Sequence, residues 1–291
     1  MKTVSLYKFT QDSNFNTKEM FKEELFESFK FSPCGELDKS KMGFVTNIVS
    51  GNYVDEINVE GNTFFVVTCR IQKKQPEKYL VDEYVELKRI QYVVDTEGKE
   101  PEKALLKEWK NDGFDYYLRQ TFPKKPVDFT IAVRNDGVVF VEGKSSQAES
   151  NCALVRKALG TFPVTALETE VAVTDLLDEM VEKRINDTIT LGDKVELVDQ
   201  EDIKHSLTKG SVYSSDAADY VKDGMMVTGL GLNYDGMLSF FLNEDLVFDA
   251  LKFDKDLLGE DPTDAGSFII KLGEVNKAVN DILGRLKKGE E

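Results

Sequence analysis

The sequence predicts an α+β fold, with antiparallel sheets, segregated helices and a helical-hairpin extension, on three observations. Segments with helical spacing and segments that alternate like strands occupy separate blocks of the chain. Asp128 to Val133 and Val138 to Val141 flank Asn135-Asp136-Gly137, a strong short-range hairpin signal. Val227 to Tyr234, Met237 to Leu242 and Leu246 to Phe253 are divided by Asp235-Gly236 and Asn243-Glu244-Asp245, which predicts a three-stranded meander.

Taken in order, Val4 to Phe9 alternates as a first strand, and Lys18 to Phe29 is helical, with Met20, Phe21, Leu25, Phe26 and Phe29 at helical spacing. Phe31 to Val45 is a turn region around Pro33 and Gly35, in which Cys34 has no His or Cys partner nearby and is expected to be packed. Asn62 to Ile71, rich in Phe, Val and Thr, is a strand following the Gly61-Asn62 turn. From Gln75 to Lys110 the chain turns long, charged and helical. Tyr79, Leu80, Tyr84 and Leu87 form one stripe; Ala104, Leu105 and Trp109 form another after the break at Asp95-Thr96-Glu97-Gly98. Such a hairpin either packs its stripes on each other or offers aromatic residues to a partner.

Ser146 to Val164 follows the predicted β-hairpin. Ala148, Cys152, Val155 and Leu159 share one helical face, and Ser146 with Glu149 has the form of a capping box. Gly160 suits a left-handed C-cap and Pro163 stops continuation. Arg156 and Lys157 lie off the apolar stripe, on a solvated face or toward a partner. Further on come a helix from Val173 to Arg184, a strand from Lys194 to Val198, a helix from Asp199 to Leu207 and a terminal helix from Ser267 to Leu286 before a charged tail.

At 291 residues there is room for two domains, or for one with sizeable insertions, and 41% apolar residues with 19 Phe can support a core. Cys34, Cys69 and Cys152 are odd in number and widely spaced, which predicts buried thiols in a reducing, cytoplasmic compartment. No apolar run reaches signal-peptide or membrane-spanning length, so no membrane partner is expected. The net charge of -16 is unevenly spread. Residues 1–69 hold 7 Lys/Arg against 10 Asp/Glu, residues 70–160 hold 17 against 15, and residues 161–291 hold 13 against 28. The middle can present a positive surface if folding segregates the signs.

Little catalytic chemistry is written in the chain. His205 is the only histidine and has no second ligand three or four residues on. Gly229-Leu230-Gly231 lacks the third glycine of a dinucleotide fingerprint, and no glycine-rich loop ends in Gly-Lys-Ser/Thr. Neither metal nor other cofactor is predicted, and no small-molecule substrate is expected. One constellation stands as an alternative: Asp128 on one hairpin strand and Glu142-Gly143-Lys144 on the next resemble the Mg²⁺ site of restriction-endonuclease-like nucleases. Registering the hairpin on Asn135–Val138 puts Phe129 opposite Lys144, so Asp128 faces the other way unless a bulge shifts it.

Three blocks in order are similar to the RdgC family, the bacterial recombination-associated nucleoid proteins. They are Phe31-Ser32-Pro33-Cys34-Gly35 with Lys41-Met42-Gly43-Phe44; Ala153 to Val164, reading Ala-Leu-Val-Arg-Lys-Ala-Leu-Gly-Thr-Phe-Pro-Val; and Met226-Val227-Thr228, Leu230-Gly231-Leu232 and Ala250-Leu251-Lys252-Phe253. The resemblance implies a non-enzymatic protein that binds double-stranded DNA with little sequence preference. It also implies a ring-shaped homodimer with a basic hole that restrains RecA-promoted strand exchange in the nucleoid. It divides the chain into a central α+β domain (1–74 and 127–168), a helical tip and dimerisation extension (75–126) and an acidic base domain (169–291). By position, Phe122 falls where the family has an aromatic at the ring-closing dimer contact. Arg119, Lys124, Lys125, Arg156 and Lys157 become the candidate phosphate contacts. Two departures stand out. The family's lysine-bearing finger is here the shorter, acidic stretch between Lys209 and Asp223, and Lys144 stands where the family has a small residue. A third reading is a protein-binding module whose acidic C-terminal half mimics DNA.

Overall fold

The computed structural model describes residues 1–10, 17–208, 210–258 and 263–287. Lys209 and the charged tail beyond Lys287 lie outside the described residues. The chain forms two compact units, a larger one of Met1–Ser28, Thr46–Thr68 and Phe129–Glu291 and a smaller one of Phe29–Val45 and Cys69–Asp128. The smaller holds 16 Lys/Arg against 14 Asp/Glu, leaving 21 against 39 of the chain's 37 and 53 for the larger. The two units therefore carry +2 and -18.

In the larger unit, β1 (Val4–Phe9) pairs antiparallel with β6 (Val138–Glu142), and β6 with β5 (Val127–Arg134). On its other side β1 pairs with β12 (Val247–Phe253). The order continues through β11 (Leu238–Asn243), β10 (Met226–Tyr234) and β8 (Ile189–Val198) to β9 (Lys204–Thr208). β3 (Asp55–Val59) pairs with the first half of β4 (Asn62–Lys73), and β7 (Val164–Ala166) pairs with β1. One face is buried by α6 (Val173–Glu182), α7 (Ala217–Lys222) and α9 (Asp264–Arg285), whose Leu177, Met180, Val221, Leu272 and Val279 share a core with Leu6, Phe140, Leu232, Phe240 and Phe248. Strand alternation drives this: Leu238, Phe240 and Leu242 are buried while Ser239, Phe241 and Asn243 between them are not. The opposite face is covered over β1 and β6 by α5 (Ser145–Leu159), where Ala148, Cys152, Val155, Val139 and Val141 are buried. Beyond α5, that face stays open. The α+β expectation holds.

Several boundaries differ from the sequence reading. The helix expected over Lys18 to Phe29 is two short ones, α1 (Thr17–Met20) and α2 (Glu23–Glu27), because Lys22 between them is extended. The break turns both Phe21 and Phe26 inward, their rings stacked at 5.4 Å. Helix α5 has Lys144 as its N-cap, two residues before the expected Ser146, so Ser146 lies inside the helix and the capping box does not form. Gly160 does take the left-handed C-cap, at φ 75°. The helix expected over Asp199 to Leu207 is a turn and the strand β9. The Asp199 carboxylate accepts the Glu201 and Ile203 N–H groups, Asp202 is left-handed, and the strand then pairs along β8. Tertiary pairing overrides local pattern here.

The β5–β6 ladder pairs Ile131 with Val141 and Val133 with Val139, one residue away from the expected register. Gly137 adopts φ 87° and its N–H donates to the Arg134 carbonyl, so the connection has three residues rather than two. Arg134 is buried at its base. It donates to Asp136 (2.7 and 2.8 Å) and to Asn276 and Asn280 of α9 (2.7 and 2.6 Å). Burial pushes the Asp136 carboxyl up, but the Arg134 guanidinium and the Val138 N–H outweigh it and hold the group below its ordinary value. Its contribution to stability is therefore complete above the unfolded value of about 3.9 and is lost as the pH falls below it. Asp136→Asn is expected to lower the urea midpoint at pH 7, with the gap from wild type closing below about pH 4. A gap that stays constant into acid would show that the carboxylate charge adds nothing.

In the smaller unit, α3 (Lys78–Asp95) and α4 (Lys103–Gln120) form the predicted helical hairpin. The Tyr84 ring lies over Gly113, where a Cβ would come within 2.8 Å of it, and stacks with Tyr116 at 6.0 Å; Tyr92 meets Trp109 edge-on at 5.8 Å. Tyr79, Leu87, Ile90 and Val94 remain exposed on α3. Of the two expected stripes, Tyr84 and Trp109 pack across the hairpin, while Tyr79 and Leu87 stay on an exposed apolar face of α3 with Ile90 and Val94. The region expected as turn from Phe31 to Val45 ends in a strand, β2 (Ser40–Val45), which pairs with β4.

Candidate nucleic-acid interface

In the smaller unit the site grows from the end of α4. Leu118 is buried and the Thr121 hydroxyl donates to the Tyr117 carbonyl, which closes the helix. The chain then runs extended beside β4: the Lys124 N–H donates to the Lys73 carbonyl (2.8 Å) and the Gln72 side-chain amide to the Lys124 carbonyl (3.1 Å). These bonds fix a short segment on which Phe122 is 90% exposed and Arg119, Lys124 and Lys125 all face solvent. Phe122 sits at the root of the helical hairpin, not at its turn. Lys124 reaches the Gln75 side chain at 3.5 Å, but no described carboxylate lies within 4 Å of these three cations. They are free to meet an anion.

Next to this segment the Pro33-Cys34-Gly35 loop is held down from below. Lys74 is buried, and its ammonium donates to the carbonyls of Gly35 (3.1 Å) and Glu36 (2.8 Å). The Cys34 N–H donates to the Gln72 side chain at 2.9 Å and its thiol to the Gln72 carbonyl at 3.4 Å. Cys34 is half-buried, where a buried thiol was expected, because the exposed Pro33 and Gly35 hold it at the rim of the loop against β4, while Cys69 and Cys152 are buried.

In the larger unit Arg156 and Lys157 occupy the last turn of α5 and are both exposed. Arg156 donates to the Phe162 carbonyl at 3.3 Å, and Phe162 is fully buried, edge-on to Phe9. That bond ties the cation to the Gly-Thr-Phe-Pro turn while leaving its charge unmatched. Burial pushes the Cys152 thiol beneath them up to about 11, so it is a packed thiol.

The three candidate nuclease residues each have their own partner. Asp128 receives two bonds from Arg70 (2.6 and 2.7 Å). Glu142 accepts the Lys2 and Thr130 N–H groups (3.1 and 3.2 Å) and lies 3.3 Å from the N-terminal ammonium. Lys144 pairs with Asp249. Among the described residues no group of three or more His, Cys, Asp or Glu is placed to hold a metal ion. His205, with its ring 3.0 Å from Asp199, lies on β9 opposite Leu197 of β8. Three exposed or half-exposed lysines on the open sheet face, Lys194, Lys204 and Lys252, were missed by sequence reasoning. The signal for them was the parity of the strands, which segment-wise charge counts do not use.

These features define an α+β protein with unmatched cations on both units and one large aromatic held out in solvent. The family model described as “Putative exonuclease, RdgC” matches residues 1–282, and the chain belongs to the RdgC family. It is similar to the “Recombination-associated protein RdgC” of Salmonella typhimurium, of Salmonella typhi and of Salmonella newport. Each is 26% identical over 265 residues, covering 88% of this chain and 84% of the relative. No described helix is long and apolar enough to cross a membrane.

Proposed function

We propose that this protein binds double-stranded DNA without sequence preference and modulates RecA-type homologous recombination, as a ring-shaped homodimer in the nucleoid. The observation that carries this reading is the match of residues 1–282 to a family whose curated relatives are named for recombination. The side chains support it. Sequence-independent binding needs cations aimed at phosphates and no base-reading code. Arg119, Lys125 and Lys157 are exposed with no carboxylate within 4 Å among the described residues. The 75–126 extension serves as the dimerisation element, with Phe122 as its aromatic anchor. The acidic stretch that replaces the basic finger folds in: Ala217, Ala218 and Val221 of α7 are buried in the core. Contact with DNA therefore falls to α5 and to the segment after α4.

Because the family is described as an exonuclease, a nuclease stands as the second reading, with Mg²⁺ the metal its Asp128, Glu142 and Lys144 would call for. Both are tested by titrating a labelled duplex across salt, with and without Mg²⁺. Binding is expected to weaken steeply with salt, and the DNA to stay intact. Replacing Arg119, Lys125, Arg156 and Lys157 by Glu should flatten the salt dependence by roughly 0.9 in log–log slope for each phosphate no longer neutralised. DNA shortened only with Mg²⁺ would overturn the binding reading in favour of the nuclease. No shift even at low salt would leave the acidic, DNA-mimicking module.

A further inference from the structure

The open face of the larger unit's sheet, beyond the edge of α5, carries a charge opposite to that of the unit. Register fixes which residues share it. Lys252 lies opposite Ser239, Asp249 opposite Phe241, Asn243 opposite Gly229, and Glu196 opposite both Gly229 and Ser206. Lys194 lies opposite Thr208 and Lys204 opposite Val198. At these paired positions, with Lys144 at the start of α5, four lysines stand with two carboxylates, each already matched, Glu196 by Lys194 and Asp249 by Lys144; the β8 bulge beside Lys194 adds one further exposed carboxylate, Asp193. Lys204 and Lys252 are exposed and have no described carboxylate within 4 Å. A merely solvated face would share its unit's balance, 21 cations against 39 anions. This one inverts it.

The face is also built to hold a cation in place. A Cβ on Gly229 would come within 2.3 Å of the Phe241 ring, so the ring rests across the neighbouring strand only because residue 229 is glycine. The Lys194 ammonium stands 4.2 Å from the centroid of that ring. Lys144 and Lys194, with their partners Asp249 and Glu196, and Phe241 and Asn243 rim a cavity of about 240 Å³.

We infer that this open face is a second phosphate-contact surface for the DNA backbone, with Lys194, Lys204 and Lys252 as its cations and Phe241 positioning Lys194. The inference rests on the duplex-binding reading above and extends it to residues outside α5 and the segment after α4. α5 lies on the same side of the sheet, so Arg156 and Lys157 belong to the same side of this unit as the three lysines.

The test is a fluorescence-anisotropy titration of a labelled duplex across salt. It compares the wild-type chain, the triple variant Lys194→Gln, Lys204→Gln, Lys252→Gln, and a control triple Lys183→Gln, Lys222→Gln, Lys271→Gln. The control removes equal charge from the end of α6, from α7 and from α9, which cover the opposite face. The open-face triple is expected to lose roughly 2 to 3 in log–log salt slope and at least about tenfold in affinity near 0.1 M salt, with the control close to wild type. Equal losses in both triples would mean a long-range charge effect and would overturn the inference. So would an unchanged open-face triple with a binding wild type, which leaves the duplex-binding reading standing. A wild type that binds no duplex at all removes both.

Discussion

On the proposed homodimer, Phe122→Ala is expected to weaken self-association by about 2 kcal/mol, roughly thirtyfold, the loss for a large aromatic anchor at an interface centre. The side chain is 90% exposed, so within one chain it has almost nothing to lose. The isolated subunit should keep its far-UV spectrum and its urea midpoint at concentrations where it is monomeric. Sedimentation velocity over a concentration series reads the change directly. If the proposed ring encloses the duplex, DNA binding should fall with it. If the association constant of Phe122→Ala equals that of wild type, the ring-closing role of this residue is wrong.

Gly43→Ala is expected to cost about 2 to 3 kcal/mol of stability, the range for forcing atoms into a packed site that cannot relax. A Cβ at Gly43 would lie 2.5 Å from the Phe31 Cα, 2.6 Å from its nitrogen and 2.8 Å from the Lys30 carbonyl carbon. All three are backbone atoms, so no flexible side chain can give way. The approach exists because Lys30 and Phe44 form a parallel bridge. The Phe31 N–H donates to the Phe44 carbonyl at 2.8 Å, and the Phe44 N–H to the Phe29 carbonyl at 3.0 Å. Gly210→Ala is the comparison, since nothing lies within 4 Å of a Cβ there. Equal urea midpoints for the two variants would show that the bridge yields.

What was legible in the sequence was whatever repeats with a period. The meander, the helical hairpin and the buried stripe of α5 follow from alternation and from helical spacing. The Gly160 cap follows from the one residue type at home at positive φ. Features decided by distant partners were not legible. Residues 199–208 look helical and charged until β8 offers a ladder, and Asp128 looks like a free acid until Arg70, 58 residues earlier, claims it. The hairpin register was missed by one residue because it turns on whether Gly137 ends a two- or a three-residue connection. The cations of α5 stood out as neighbours in sequence. Those of the open face are scattered over three strands and become neighbours only through pairing.

The division of the chain into units has a consequence for its covalent cohesion. Because the smaller unit is assembled from two stretches, Phe29–Val45 and Cys69–Asp128, the backbone passes between the units four times. A single cut in the α3–α4 turn, at Glu97-Gly98, would leave an N-terminal fragment with β1 to β4 and a C-terminal fragment with β5 to β12. Each fragment would hold pieces of both units. β1 would still be clamped between β6 and β12 of the other fragment, and α3 would still be stacked on α4. A nicked molecule would therefore stay in one piece until it is unfolded, and the exposed turn is a natural place to split the chain for reassembly.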